Sequence, residues 1–490
     1  MNHKMTPKGG DTDRLGSGSD SALYRRVWRW HFYAGLICLP FLVLLALTGG
    51  LYLFKDPIEQ WVYRPLLTVN GPPSGKSLGA EALVARALAA EPGEAVRFVS
   101  PASPGRSAEV GVKTAASGVV AVYLDPSDGR VLGRLADSAR LMNVVKRLHS
   151  LALAGKVANL WIEVVAGWAI VLVVSGLFLW WPRGRSGGVL RVRGQPRQRL
   201  WWRDLHAVTG ALAAAAILFL AVTGMPWSAF WGEQFGRLTK TWGVGTPRYV
   251  WGGAPASTLP LAGLTDVPWA SSQAALPTSS SHNGHDGHNG PTPAMAPAMA
   301  PATAAPPAPP APQASPAPSV GIDQALQIFR RLGLPEGTPV RLPSGPQGVY
   351  SAMRFPDDVR ELRVVHLDRY SGAVLADIGL KDYGAVGRLT EWGISLHTGR
   401  QFGLINQLLM LAGCLSIVLL AVSSVVMWWK RRPRGRLAAP PRREGDRAAI
   451  GALAIAALLG LLYPLLGASM LVALGVDALM PRHWQQRFAL

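Results

Sequence analysis

Five long apolar runs constrain this chain more than any other feature: about 32–54, 160–181, 207–231, 405–429 and 448–475. Each is long enough to cross a hydrocarbon core of roughly 30 Å at about 1.5 Å per helical residue. Inside a bilayer every backbone polar group must be paired within its own segment, so the runs predict spanning helices. The charged share of only 16% suits a polytopic membrane protein better than a soluble enzyme. No short apolar segment with a small-residue cleavage site precedes the first run, so the N-terminus reads as an uncleaved anchor. Cys38 and Cys414 lie inside apolar runs. Two cysteines are too few for a disulfide framework or an iron–sulfur cluster, and they read as small packing residues.

A net charge of +20 invites a nucleic-acid reading, but its distribution argues against one. Residues 1–30 carry six Lys/Arg and three acids, 182–203 carry seven Arg and no acid, and 430–447 carry eight Lys/Arg and two acids. The long segments are nearly balanced: 55–147 has twelve basic and nine acidic residues, and 232–396 has twelve of each. Positive charge concentrated in short loops is the bias of cytoplasmic loops. It predicts an inner-membrane protein with a cytoplasmic N-terminus, periplasmic long loops and a periplasmic C-terminal tail. Trp180-Trp181 and Trp428-Trp429 mark the cytoplasmic interface.

The chain repeats itself. His31 is followed by Gly35 and, 17 residues on, by Thr48-Gly49; His206 is followed by Gly210 and by Thr223-Gly224 at the same spacings. His149 and His397 each precede a glycine by six residues, Gly155 and Gly403, and a Trp pair by 31. The long loops share a Val-x-Leu-Asp core with a glycine four residues after Asp125 and Asp368, the pattern of a strand entering a hairpin turn. Helical patterns at 78–90 and 321–332 precede these cores. The expected fold is a mainly α membrane protein. Duplicated two-helix units form a four-helix core, a fifth helix follows, and two small α/β units lie in the periplasm. The two halves run parallel, about an axis along the membrane normal.

The expected boundaries follow. After a tail at 1–23, spanning helices cover 24–55, 141–182, 204–231, 389–430 and 448–476. The α/β units occupy 56–140 and 319–388. Basic loops fall at 183–203 and 431–447, a periplasmic segment at 232–252 and the periplasmic tail at 477–490. Residues 253–318, rich in Pro, Ala, Ser and Gly, read as a disordered linker.

Four of the ten histidines stand at the N-terminal ends of helices: His31 and His206 at the cytoplasmic edge, His149 and His397 on the periplasmic side. Neutral imidazole is the usual axial ligand of haem iron. Facing helices can each offer one to opposite faces of a porphyrin, the way helix bundles build cofactor sites. The pattern therefore points to two b-type haems, one per membrane face, with each half supplying one ligand to each. Gly35 and Gly210 would let a flat macrocycle approach the backbone. Arg29, Arg203, Arg147 and Arg400, each within three residues of one of these histidines, are candidate partners for the anionic propionates. The plainer reading is four interfacial histidines without a cofactor.

Three further features stay open. A straight helix from His149 to Trp180 would measure roughly 46 Å, placing His149 about 15 Å beyond the hydrocarbon edge. Either the helix bends near Gly155 and Gly403, or aromatics such as Trp161 and Trp168 bridge the two levels. Glu163, the one acid within a spanning run, is a proton-relay or quinol candidate, or a helix-end carboxylate facing water. His282, His285 and His288, with Met295 and Met299 beyond, form either a weak metal-binding tract or a polar spacer. No P-loop, dinucleotide-binding turn, Gx-Ser-xG elbow or HExxH occurs, and the cytoplasmic loops are too short for a flavin or nicotinamide domain.

The RWHFYAGL…LTGGLYLF, LHSLALAG…SGLFLWWPR, DLHAVTG…VTG and SLHTGRQFG…MWWKRRP runs resemble the PepSY-associated transmembrane family over about residues 24–432. That family includes iron-regulated membrane proteins and ferric-siderophore reductases. The resemblance implies periplasmic PepSY domains, haem ligation by His31, His149, His206 and His397, and reduction of ferric iron on a periplasmic siderophore. Some relatives carry a fused cytoplasmic flavoprotein. This sequence shows none, so the implied donor is a membrane quinol or a separate cytoplasmic reductase. Two other classes compete: a membrane-anchored module whose periplasmic units bind or regulate a peptide or protease, and a transporter of a metal–siderophore complex.

Overall fold

The computed structural model describes residues 12–69, 77–182, 189–250, 254–257, 319–432 and 457–479. The chain is mostly helical. Along it run α1 (Thr12–Tyr52), the short α2 (Lys55–Val62) and α3 (Arg64–Leu67), then α4 (Ala80–Ala90) and strands β1 (Glu94–Val99), β2 (Ala108–Thr114), β3 (Gly118–Leu124) and β4 (Val131–Ala136). There follow α5 (Leu141–His149), α6 (Lys156–Trp180), α7 (Arg199–Gly224) and α8 (Trp231–Thr241). The rest comprises α9 (Ile322–Arg331), β5 (Pro339–Arg341), β6 (Val349–Arg354), β7 (Arg363–Asp368), β8 (Val374–Gly379), α10 (Ala385–His397), α11 (Gly403–Arg431) and α12 (Pro464–Leu479).

Among the described residues, four helices are long and apolar enough to cross a membrane: Leu23–Tyr52 of α1, α6, Arg199–Trp227 and α11. Of the fifth run, residues 448–456 lie outside the described residues. Its described helix, α12, has 16 residues, below the roughly 20 of a full span. It starts at a break at Tyr463-Pro464, where proline lacks the amide that a continuing helix needs. α1 packs on α6 and α11, and α7 packs on the same two. The four spans therefore form a square, with α1 and α7 on one diagonal and α6 and α11 on the other. α12 leans on α6, where Leu466 lies over Gly167 and Trp168 Nε1 donates to Ser469 Oγ at 3.0 Å.

The helices expected at 141–182 and 389–430 are each broken. After His149 the chain leaves the helix through Leu151 (φ 53°) and Gly155 (φ 98°), and α6 restarts at Lys156. After His397 it turns through Gly399 (φ 75°) and Gly403 (φ 55°) into α11. Left-handed backbone costs little for glycine, so Gly155 and Gly403 are where each helix changes direction. Asn159 Nδ2 donates to Ser150 O at 2.6 Å, and Asn406 Nδ2 to Leu396 O at 2.9 Å, tying each break to the helix that follows. α5 consequently packs along α1 instead of extending α6 away from the bundle.

The two α/β segments join. Strands β4-β3-β2-β1-β5-β6-β7-β8 form one antiparallel sheet, closed at its centre by Arg97 opposite Arg341, Phe98 opposite Val340 and Val99 opposite Pro339. The expected hairpins β3–β4 and β7–β8 are present. In their turns Asp125 accepts from Ser127 N at 2.9 Å, and Asp368 from Ser371 N at 2.8 Å. α4 and α9 cover one sheet face over a core that includes Leu83, Phe98, Val110, Phe329 and Leu367. Asp323 of α9 accepts from Ala80 N at 2.6 Å, so one helix caps the other across the joint. Toward the bundle, Arg97 binds Glu109 and Asp137, and Asp137 opens the short turn that leads into α5. On the other side Gln401, in the turn after His397, accepts from Val359 N at 3.0 Å and donates to Asp358 at 2.9 Å. Both histidine-bearing segments at this end are thus anchored to the sheet. The linker with His282, His285 and His288, most of the expected basic loop, the first residues (448–456) of the expected fifth helix and the ends of the chain lie outside the described residues.

Candidate functional site

The bundle holds histidines at two levels. At the end marked by the Trp pairs, His31 of α1 and His206 of α7 reach inward from diagonal helices. Their ring centroids lie 6.4 Å apart at an interplanar angle of 89°. At the sheet end, His149 closes α5 and His397 closes α10, and His397 lies within electrostatic reach of His149. Both stand outside the spanning segments. Burial, and secondarily His149, pushes His397 down to about 4, and burial lowers His149 as well. Neutral imidazole is the form that binds metal. Along α1, His31 and Thr48 are 17 residues apart, which sets the levels about 25 Å apart.

Each ring is held through Nδ1 by a hydroxyl of a neighbouring helix. The distances are 2.9 Å for His31 and Ser175 of α6, 3.0 Å for His206 and Ser423 of α11, 2.9 Å for His149 and Thr48 of α1, and 2.8 Å for His397 and Thr223 of α7. The roles alternate along the bundle. At the Trp end α1 and α7 carry the imidazoles and α6 and α11 hold them; at the sheet end α1 and α7 do the holding. Glycines make room for the rings. A Cβ at Gly176 would stand 3.2 Å from His31 Cε1, at Gly49 3.4 Å from His149 Cε1, and at Gly224 3.7 Å from His397 Cε1. Gly35 and Gly210 instead face Leu172 and Leu420 of adjoining helices, at 3.8 and 3.6 Å.

The donor set fits haem. Two imidazoles on one iron, each with a metal–nitrogen bond of about 2 Å and a ring centre about 1 Å further out, hold their centroids roughly 6 Å apart. Metal-bound histidine characteristically engages its other nitrogen in a hydrogen bond that orients the ring, and all four rings do so. Among the described residues no group of three or more His, Cys, Asp or Glu gathers to hold a bare ion, whereas a porphyrin needs only two axial ligands. His366 is the contrast. It is fully buried in β7, but Nδ1 meets Ser351 Oγ and Nε2 meets Tyr249 O, both at 2.8 Å, so both nitrogens are consumed by packing.

The arginines divide. Arg400 lies near Tyr52, one turn beyond Thr48 on α1, and Arg147 is exposed beside His149. Arg203 is committed to Asp204 at 2.8 Å, and Arg29 lies over the Tyr33 ring at 5.8 Å. Trp168 is buried and stacks on Trp30 at 6.2 Å, whereas Trp161 is 48% exposed and faces away from the bundle interior. Glu163 does not face water. It is 1% exposed, its Oε2 accepts from Trp231 N at the start of α8 at 2.9 Å, and its Oε1 has no partner among the described residues.

Sequence reasoning found the histidines and the Thr-Gly repeats. It missed Ser175 and Ser423, whose signal was their place five residues before each Trp pair. No curated protein matches the chain. A family model described as the PepSY-associated TM region matches residues 28–431, which takes in all four histidines and all four hydroxyls. The chain therefore belongs to the PepSY-associated transmembrane family.

Proposed function

We propose that this chain is a b-type haem oxidoreductase of the inner membrane that delivers electrons to ferric iron carried by a siderophore on the sheet side. The observation that carries the reading is the facing of His31 and His206 at 6.4 Å with each Nδ1 already occupied. Haem, when bound, supplies a one-electron iron couple. The chain's own residues do the rest. His31 and His206 would hold the haem iron at one level, and His149 and His397 at the other. Thr48, Ser175, Thr223 and Ser423 orient the rings, and Arg400 would offer a cation to a propionate. The recurrence of the same hydroxyl–imidazole contacts in both halves supports a duplicated core and, with it, two haems. Basic loops at the Trp end support a cytoplasmic location for that end and a periplasmic location for the sheet.

The donor is a membrane quinol or a separate cytoplasmic reductase. One electron converts Fe³⁺ to Fe²⁺, which a hard-oxygen chelate holds less tightly. Glu163 would accept or release a proton if quinol is the donor, since it is a buried carboxyl with one oxygen unpartnered among the described residues. Purified protein should show a Soret band that shifts on dithionite reduction, and the reduced form should turn ferric siderophore into ferrous iron trapped by a ferrous chelator. A folded but colourless preparation refutes the haem reading. Uptake of an intact labelled complex into vesicles without reduction would point to transport, and selective capture of a peptide by colourless protein to a binding module.

A further inference from the structure

Thr48, Ser175, Thr223 and Ser423 do more than touch the rings. A hydroxyl has one proton to give. Each of these four already gives it to a carbonyl of its own helix: Thr48 Oγ1 to Leu44 O, Ser175 Oγ to Val171 O and Thr223 Oγ1 to Phe219 O, each at 2.6 Å, and Ser423 Oγ to Leu420 O at 3.0 Å. The same oxygens lie 2.8 to 3.0 Å from imidazole Nδ1, so they accept there and Nδ1 must carry the proton. His206 confirms the sense independently, because its Nδ1 also lies 3.2 Å from Leu420 O, which can only accept. His366 has the opposite arrangement. Its Nε2 faces the carbonyl of Tyr249, so Nε2 is the donor and Nδ1 accepts from Ser351.

We infer that the four hydroxyls are positioning residues that lock His31, His149, His206 and His397 as the Nδ1–H tautomer, so that every Nε2 lone pair is ready for iron before haem arrives. Nothing in the family match assigns these hydroxyls a role. The inference rests on the haem reading for its purpose and not for its measurement. Left to itself, imidazole divides its proton between the two nitrogens. A fixed tautomer removes that disorder and sets the ring plane.

The test uses the full chain, labelled with ¹⁵N-histidine and prepared without haem in lipid nanodiscs. Single His→Gln variants assign the ring signals. Expected are the Nδ1–H pattern for the four histidines and the Nε2–H pattern for His366. An Nε2–H pattern, or an even mixture, at the four overturns the inference. This holds even for a chain that never takes up haem, so the two failures are distinguishable. Thr48→Val with Thr223→Val should turn the sheet-end signals into a mixture and weaken haem retention at that level tenfold to a hundredfold, leaving the Trp-end level unchanged. Thr48→Ser with Thr223→Ser should restore both. Unchanged tautomers and retention in the valine variant overturn it as well.

Discussion

Replacing one histidine of a level, or both, should have the same effect on haem content. The argument is geometric. His31 and His206 are 6.4 Å apart and would share one iron. Loss of an outer hydrogen-bond partner of a metal ligand typically costs ten- to a hundredfold in affinity. Loss of the ligand itself costs more than the upper figure, about 2.8 kcal/mol, so one missing imidazole empties the level during detergent purification. The second substitution then has nothing left to remove. Between levels the separation is about 25 Å, well beyond the roughly 7–10 Å within which substitutions couple, so losses there should add. With two haems in the parent chain, His31→Ala, His206→Ala and the pair together should each retain one. His31→Ala combined with His149→Ala should retain none. Pyridine haemochrome quantitation per chain reads the number, and size-exclusion chromatography checks the fold. A His31/His206 double variant with less haem than either single, or a His31/His149 double variant that keeps one, refutes the two-level arrangement.

Other consequences are more local. Gly176→Ala places a methyl 3.2 Å from His31 Cε1, so the ring must yield by a few tenths of an ångström, whereas Gly224→Ala meets His397 Cε1 at an ordinary 3.7 Å; the low-spin EPR signal of the Trp-end level should shift in the first variant, and that of the sheet-end level should stay in the second. Arg97→Met removes hydrogen bonds to Glu109 and Asp137 from a part-buried network in which Glu109 keeps Arg140. It should destabilise the sheet by about 1–2 kcal/mol, between the exposed and the buried limits, read as faster hydrogen exchange in β1 and α5. Asp125, Asp358 and Asp377 titrate below the ordinary carboxylate range. At Asp125 burial, the largest single influence, pushes upward, and the hydrogen bonds from Ser127 together with Arg130 outweigh it; hydrogen bonds from Arg360 and Arg363 depress the other two. Their folded values lie below the unfolded ones, so their stabilisation is complete above pH of about 4 and is lost as pH falls through the depressed values; the melting temperature of the sheet should drop across that window and not above it. Glu163→Gln keeps an acceptor for Trp231 N and should leave the spectrum unchanged while slowing quinol-driven reduction. An unaltered rate would make Glu163 a docking residue for α8 only.

Much of this architecture shows in the residue pattern, and what does not has physical reasons. Apolar length announces the four spans, and an Asp followed four residues later by glycine announces the hairpins, because both are local requirements. Gly155 and Gly403 mark possible breaks. The direction taken there depends on Leu151 adopting φ 53° and on Asn159 and Asn406 catching the turn, which are consequences of packing. The joining of β1 to β5 pairs residues more than two hundred positions apart, and an edge strand carries no label for its partner. Ser175 and Ser423 were hidden for another reason. A serine in an apolar helix ordinarily satisfies itself on its own preceding carbonyl. These two do that as well, and only the spare lone pair is put to use.

The broken helices account for the arrangement of both levels. A spanning helix that continued to His149 would carry that ring about 15 Å past the hydrocarbon edge and away from α1. With the break at Leu151 to Gly155, α5 lies along α1 and His149 meets Thr48, whose helix presents His31 at its other end. α7 does the same for His397 and His206. Each diagonal helix therefore carries an imidazole at one end and a holding hydroxyl at the other. In both halves every ring is held by a hydroxyl of its own half, yet each level is completed only when the halves face one another. A half-chain could orient its imidazoles, but it could not offer iron a second one. The square packing of α1, α6, α7 and α11 puts His31 and His206 on diagonal helices, and a macrocycle held by them would use the space between the four helices.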